Sequence, residues 1–371
     1  MKYLAVLGRL PEISLAELKA LFKSVKLLAP GLASFESATP PDINRLGGTM
    51  KLAVQLDVAP LEILQQLPEG KITLGVSDYS ARATVASARK EAMRLKKILV
   101  RHGRSVRVLD NKTATLSTAT VLHNKLGAKD RAVELLLVGK TWYRGIGVQD
   151  IEAYARRDQA RPARDAKVGM LPPKLAQILI NLCGPLPEGA RVLDAFCGTG
   201  VVLQEAYLMG YAPYGTDVNE RMVEYSQKNL AWLTKMDTVR PQAEQHLVSV
   251  GDATSFTWEQ PIDAVAGETY LGPPMSAPPA EVKLKAVKQE CGEIILGFLK
   301  NIAPQLKSGT PLVLAVPAWR RPNGEYARLN LLDKIEELSY NVVKDTSGFS
   351  DFLYYREGQI VAREIIVLRK K

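Results

Sequence analysis

The spacing of apolar and polar positions changes several times along the chain, and each change marks an element. KYLAVLG predicts a strand; after it Leu15, Leu18, Leu21 and Phe22 recur at helical spacing, with Ser14 and Glu17 three residues apart as a capping box. SFES and KLAVQLD predict further strands, PLEILQQL a helix opened by proline, and PEG at 68–70 a turn. A second unit starts at ITLGVSDY: a long helix over 83–103 ending at Gly103, a strand SVRVLD, a polar helix LSTATVLHNKLG, and two strands, AVELLLVG and KTWYRGIGVQD. Trp142 and Tyr143 on the last strand read as core. Residues 151–169 are basic, contain proline and show little periodicity, which suits a linker.

From residue 170 onward, strands and helices alternate. RVLDAF, APYGTD, HLVSVGD, DAVAGE, PLVLAVPA and QIVAREIIVLRK are the strands, a pattern that predicts a parallel sheet with helices on both faces. SDFLYYRE reads as a hairpin partner of the last strand, so the sheet should finish antiparallel. The fold class is therefore α/β: a Rossmann-like domain over 170–371, preceded by small α+β units over 1–70 and 71–150. Trp319, followed by Arg320 and Arg321, reads as part of a surface loop.

The chain has 371 residues, 46% apolar and 24% charged, as an ordinary folded protein of two or three domains would. No apolar run approaches the roughly 18–20 residues of a membrane span. Arg9 and Pro11 come too early for a signal peptide, so the expected location is the cytoplasm. Cys183, Cys197 and Cys291, with His102, His123 and His246, are too few and too scattered to suggest a disulfide framework or a metal site. The net charge is +10, and between Arg82 and Arg131 there are 13 Lys and Arg against three acids, so the rest of the chain is balanced. Charge concentrated this way predicts a polyanion partner, with a solvated lysine-rich face as the alternative.

The candidate chemistry lies at strand ends. VLDAFCGTG puts Asp194, Phe196, Cys197, Gly198, Thr199 and Gly200 in a glycine turn between the first strand and helix of the last domain. It is neither GxGxxG nor a phosphate loop. GTDVN places Asp217 and Val218 after the second strand, where an acid suits the two hydroxyls of a ribose, and VGDAT places Asp252 and Ala253 after the third, where an acid can accept from an adenine amine. Three acids on successive strands without a phosphate cradle fit S-adenosylmethionine.

With GMLPPKLAQILINL upstream, these motifs resemble the methyltransferase domain of the THUMP-containing tRNA guanosine-N2 methyltransferases. RRDQARPARDAKVGM is similar to their linker, and LSTATVLHNKL with YRGIGVQDIEAY to the end of their THUMP region. YLAVLGRLPEISLAEL is similar to their amino-terminal ferredoxin-like domain. The resemblance implies that Met170, Pro172 and Lys174 join the cofactor site. It also implies that residues 71–150 grip tRNA, and that the acceptor is the N2 amine of guanosine ten. Arg82, Arg89, Lys97, Arg101, Arg104, Arg156 and Arg157 are the candidates for phosphate contacts. Some members of the family work with a small activating subunit, a partner the resemblance leaves open.

The loop after the fourth strand departs from that family. Its Asp/Asn-Pro-Pro-aromatic motif is replaced by ETYLG, which places Glu268 on the acid and Tyr270 one residue ahead of the stacking ring. Glu268 is the candidate for orienting the amine and Tyr270 for packing on an extruded base. A DNA amino-methyltransferase and a catalytically silent tRNA-binding relative remain the alternatives.

Overall fold

The computed structural model describes residues 1–165, 170–236, 247–343 and 352–371. His246 of the expected strand HLVSVGD, and Ser350 and Asp351 of the expected hairpin, lie outside the described residues. The chain divides into two compact units, Met1–Tyr154 and Ala155–Lys371. No helix among the described residues is long and apolar enough to cross a membrane.

The first unit contains β1 (Lys2–Leu7), α1 (Pro11–Leu21), β2 (Lys23–Ala29), β3 (Leu32–Glu36), β4 (Thr49–Gln55), α2 (Pro60–Gln65), β5 (Ile72–Asp78), α3 (Val85–Arg101), β6 (Val106–Val108), α4 (Thr118–His123), β7 (Ala132–Val138) and β8 (Thr141–Val148). Its strands form one sheet in the order β2-β3-β1-β4-β8-β7-β5-β6. β4 pairs antiparallel with β8, so the segments 1–70 and 71–150 share a continuous sheet with no break at residue 70. The strand β2 was not foreseen, because its mixed KSVKLLA pattern is that of an exposed strand at the sheet edge.

The capping box expected at Ser14 is absent. The helix begins at Pro11, and Ser14 lies inside it with its hydroxyl donating to the Leu10 carbonyl at 3.0 Å. The Glu17 carboxylate turns inward instead, accepting from the Gly47 and Gly48 amides, each at 2.8 Å. A true cap opens α3, where Thr84 accepts from Ser87 N at 3.0 Å. Ala88, Ala92, Leu95 and Leu99 form the buried stripe of α3, leaving Arg89, Lys90, Arg94, Lys97 and Arg101 exposed. Deeper in the unit, Lys51 Nζ donates to Glu134 at 2.6 Å and to the Leu116 carbonyl at 2.7 Å, and Ser77 donates to the same Glu134 oxygen at 2.6 Å.

Across the division in sequence runs α5 (Ile151–Gln159), so the connector expected over 151–169 is helical at its start. The second unit continues with α6 (Pro173–Leu182), β9 (Arg191–Asp194), α7 (Val201–Leu208), β10 (Ala212–Asp217), α8 (Glu220–Met236), β11 (Leu247–Val250), β12 (Ala264–Glu268), α9 (Glu281–Ile302), β13 (Pro311–Arg320), β14 (Tyr326–Ala327), α10 (Leu332–Glu337), β15 (Tyr340–Val342), β16 (Leu353–Tyr354) and β17 (Val361–Lys370). The sheet order is β11-β10-β9-β12-β13-β17-β15, with β14 and β16 as short side pairs. The first five strands in that order run parallel, and β17 returns antiparallel between β13 and β15.

Val265, Leu312, Leu314, Val316, Ile366 and Leu368 point from the sheet into a core closed by Ile295, Phe298, Leu299 and Ile302 of α9. Trp319 belongs to this core and is fully buried. It is not in a surface loop: β13 runs on to Arg320, and Trp319 pairs with Val361 and Ala327. Between β9 and β12 the strand order reverses direction, which in open α/β sheets opens a ligand crevice at the carboxyl ends of the strands.

Candidate active site

At that crevice the glycine turn follows β9. Gly198 and Gly200 have φ of +52° and +78°, a region that side chains disfavour, and a Cβ on Gly200 would lie 2.8 Å from Ser226 Oγ. Ser226 donates to the Gly198 carbonyl at 2.8 Å, which fixes the turn against α8. Gly198 N in turn donates to Asp217 Oδ2 at 2.9 Å, and Asn219 N to Asp217 Oδ1 at 2.9 Å. Burial pushes the Asp217 carboxyl above its ordinary range, with these amides pulling the other way. The acid is thus locked at the rim with acceptor capacity to spare for hydroxyl groups. Val218 beside it is 71% exposed, an apolar surface where the flat face of a base could lie.

Asp252 is exposed, and its Oδ1 accepts from Thr254 N at 2.8 Å and Thr254 Oγ1 at 2.7 Å. Those donors hold its carboxyl below the ordinary range. Ala253 is buried, its carbonyl held by Asn301 Nδ2 at 3.0 Å. Phe196 stands edge-on to Phe298 with ring centres 5.2 Å apart. Burial pushes the Cys197 thiol well up, which makes it a packing residue. Thr199 is buried, and its carbonyl accepts from Asn229 Nδ2 at 2.9 Å.

The strand β12 explains its own small residues. A Cβ at Gly267 would collide with the carboxylate of Asp194, so only glycine leaves that acid its place. Asp194 is 3% exposed and accepts from Phe196 N at 3.1 Å. Burial, together with the charges of Asp217 and Glu268, pushes its carboxyl well above the ordinary range.

Glu268 ends β12, and its Oε2 accepts from Arg363 Nε, a buried guanidinium on β17. Burial raises the Glu268 carboxyl and Arg363 lowers it. The next residue, Thr269, keeps the chain on the sheet through its amide to the Ala315 carbonyl at 3.1 Å. Tyr270 is half-buried, packed on the α9 core, and burial with the Glu290 hydrogen bond raises its hydroxyl. The structure therefore brings Asp194, Asp217 and Glu268 together and turns the Tyr270 hydroxyl toward α9.

On the approach to α6, Pro172 is buried at the N-cap, and burial lowers the half-buried Lys174. Met170 Sδ accepts from Arg161 Nη2 at 2.7 Å. Neither Arg161 nor Arg363 was singled out from the sequence. Arg363 sits 95 residues from Glu268 on a returning strand, a separation no motif spans. Gly267 was legible in principle, since glycine inside a strand signals a close approach.

The basic candidates separate into two groups. Arg82, Arg89, Lys97 and Arg101 are exposed in the first unit, and Arg156 is exposed on α5. Arg104 instead grips the Leu67 and Pro68 carbonyls at 3.0 and 2.7 Å. Arg157 is likewise committed, holding the buried Glu205 through Nε at 2.6 Å and Nη2 at 3.2 Å. Their guanidiniums act as internal struts because each fork has already closed on protein oxygens.

Residues 161–269 match the family model of the RMKL-like methyltransferase domain, UPF0020. The chain is 30% identical over 166 residues to the tRNA (guanine(10)-N2)-dimethyltransferase of Methanothermobacter thermautotrophicus, an alignment that spans 44% of each protein, less than half the length of that relative. The same-named protein of Pyrococcus abyssi is 29% identical over 285 residues, covering 73% of this chain and 75% of its own. Among solved structures, TrmN from Thermus thermophilus aligns over 100% of both chains at 18% identity, with a TM-score of 0.46. Residues 161–269 are thus similar to an RMKL-like methyltransferase domain, and the relatives that align with the chain carry the name tRNA (guanine(10)-N2)-dimethyltransferase.

Proposed function

We propose that the chain transfers a methyl group from S-adenosylmethionine to the exocyclic N2 amine of a guanosine in tRNA, with guanosine 10, the position in the relatives' names, as the target. The observation that carries this reading is the acid set at the switch point: Asp217 locked by two amides at the rim, Asp252 beyond it, and Asp194 with Glu268 at the inner end. Asp217 suits the ribose hydroxyls, Val218 and Asp252 the base, and the glycine turn a close backbone approach. The cofactor supplies an activated methyl on a positively charged sulfur.

The chain's own part is to place the amine. An exocyclic amine is a poor nucleophile because its lone pair is delocalised into the ring. Glu268 accepts one of its N–H groups and directs the lone pair outward; Arg363 holds Glu268 in that orientation. Glu268 would thereby aim the lone pair at the methyl group that the bound cofactor would supply, whose S–C electron pair would stay on sulfur. The nitrogen then sheds one proton to Glu268 or to water. For Tyr270 to stack on the base, its hydroxyl must leave Glu290.

Methyl transfer from labelled S-adenosylmethionine into unmodified tRNA transcripts tests the reading, with Asp217→Ala and Glu268→Ala run alongside. Labelled N2-methylguanosine is expected from the wild type, at a rate at least about 100-fold lower in Glu268→Ala. Cofactor and tRNA binding without transfer would instead favour the silent relative.

A further inference from the structure

We propose that Arg161 is an anchor for a carboxylate, and that its ligand is the α-carboxylate at the amino-acid end of S-adenosylmethionine. The inference rests on the cofactor assigned in the proposed function and adds the group that holds its charged tail.

Arg161 is 3% exposed, and its Nε and Nη1 are buried without any hydrogen-bond partner. Among the described residues its hydrogen-bond partner is the thioether of Met170, a weak acceptor for a fork of five donors. The other charges around it are Asp158, which is not within ion-pair distance, and Arg164, which repels it. A guanidinium buried with no carboxylate is costly, and an incoming anion removes that cost.

Its place fits the tail of the cofactor. Two residues on, Ala163 is clamped to Asn229: its N donates to Oδ1 and its carbonyl accepts from Nδ2, both at 2.9 Å. Asn229 Nδ2 also donates to Thr199 of the glycine turn at 2.9 Å. Met170, on the other side, leads into α6. Arg161 is therefore joined to the glycine turn through Ala163 and Asn229, and to the approach of α6 through Met170.

Charge gives the second argument. The crevice is lined by Asp194, Asp217, Asp252 and Glu268, an environment that welcomes a sulfonium and an ammonium and repels a carboxylate. A ligand carrying all three groups needs a cation at one end, and Arg161 offers two unclaimed donors there.

The test is calorimetric titration of the full chain with S-adenosylhomocysteine and with its decarboxylated analogue, which keeps the amine. The wild type should bind the former about ten- to a hundredfold more tightly. Arg161→Gln should bring both ligands to the weaker affinity, and Arg161→Lys should restore part of the difference. Equal affinity of the wild type for both ligands overturns the inference alone, and that comparison needs no variant to fold. A wild type that binds neither overturns the cofactor reading as well. If Arg161→Gln keeps the discrimination, or weakens tRNA binding only, the guanidinium serves the fold or an RNA phosphate and the inference fails.

Discussion

Asp194 shows how a single residue couples the fold to the crevice. Burial of its carboxyl, with the charges of Asp217 and Glu268, outweighs the Phe196 amide it accepts from, so its proton is held more tightly in the folded chain than in the unfolded one. A carboxyl raised on folding stabilises fully below its unfolded value and loses that contribution as pH rises through the folded value. Urea unfolding of the methyltransferase domain at pH 5 and pH 8 should therefore show wild-type stability falling more than that of Asp194→Asn. Parallel losses in the two proteins would refute this account. The acid itself was legible from VLDAFCGTG, but its environment was not. The crowding comes from Gly267 and the charge from Glu268, both on a strand some 70 residues away in sequence, and periodicity carries no information about which strands lie side by side.

At the scale of elements, α3 and the residues after it show what a charge count conceals. The stretch 82–131 reads as one basic block, yet its side chains have different duties in the structure. Arg89, Lys97 and Arg101 share the solvent face of α3, opposite the buried Ala88, Ala92, Leu95 and Leu99. Arg104, past the helix end, ties down carbonyls at the close of α2. Replacing Arg89, Lys97 and Arg101 by Glu should weaken tRNA binding and flatten its log–log salt dependence by roughly 2–3 units. Arg104→Ala should leave that slope unchanged and cost about 1–2 kcal/mol of stability. Filter binding at several salt concentrations, paired with urea melts, separates the two; a salt slope that responds to Arg104 alone would reverse the assignment. Helical spacing located α3 to within two residues, while the structure supplied its buried face. The capping box at Ser14 failed because the same two residues found stronger partners: a carbonyl one turn back, and two amides from a loop thirty residues on.

For the molecule as a whole, the alternation of strands and helices after residue 170 foretold the parallel sheet and its antiparallel finish, whereas the first half joins differently. Its two expected units share eight strands, because β8 returns to pair with β4, a long-range choice that no local pattern encodes. Two sheets, each with its own core, imply two cooperative transitions. Each contains a buried ion pair that can serve as a marker: Lys51 with Glu134 in the first, Arg157 with Glu205 in the second. Removing one member of such a pair leaves the other charge stranded, at a cost of about 3–5 kcal/mol. Scanning calorimetry of Lys51→Met should lower one transition, and that of Arg157→Ala the other. S-adenosylhomocysteine at 100 times its Kd should raise only the transition lowered by Arg157→Ala, by about 2.7 kcal/mol. A single transition shifted alike by both variants and by the ligand would mean that the chain folds as one cooperative body, and the division at Tyr154 would then describe its geometry alone.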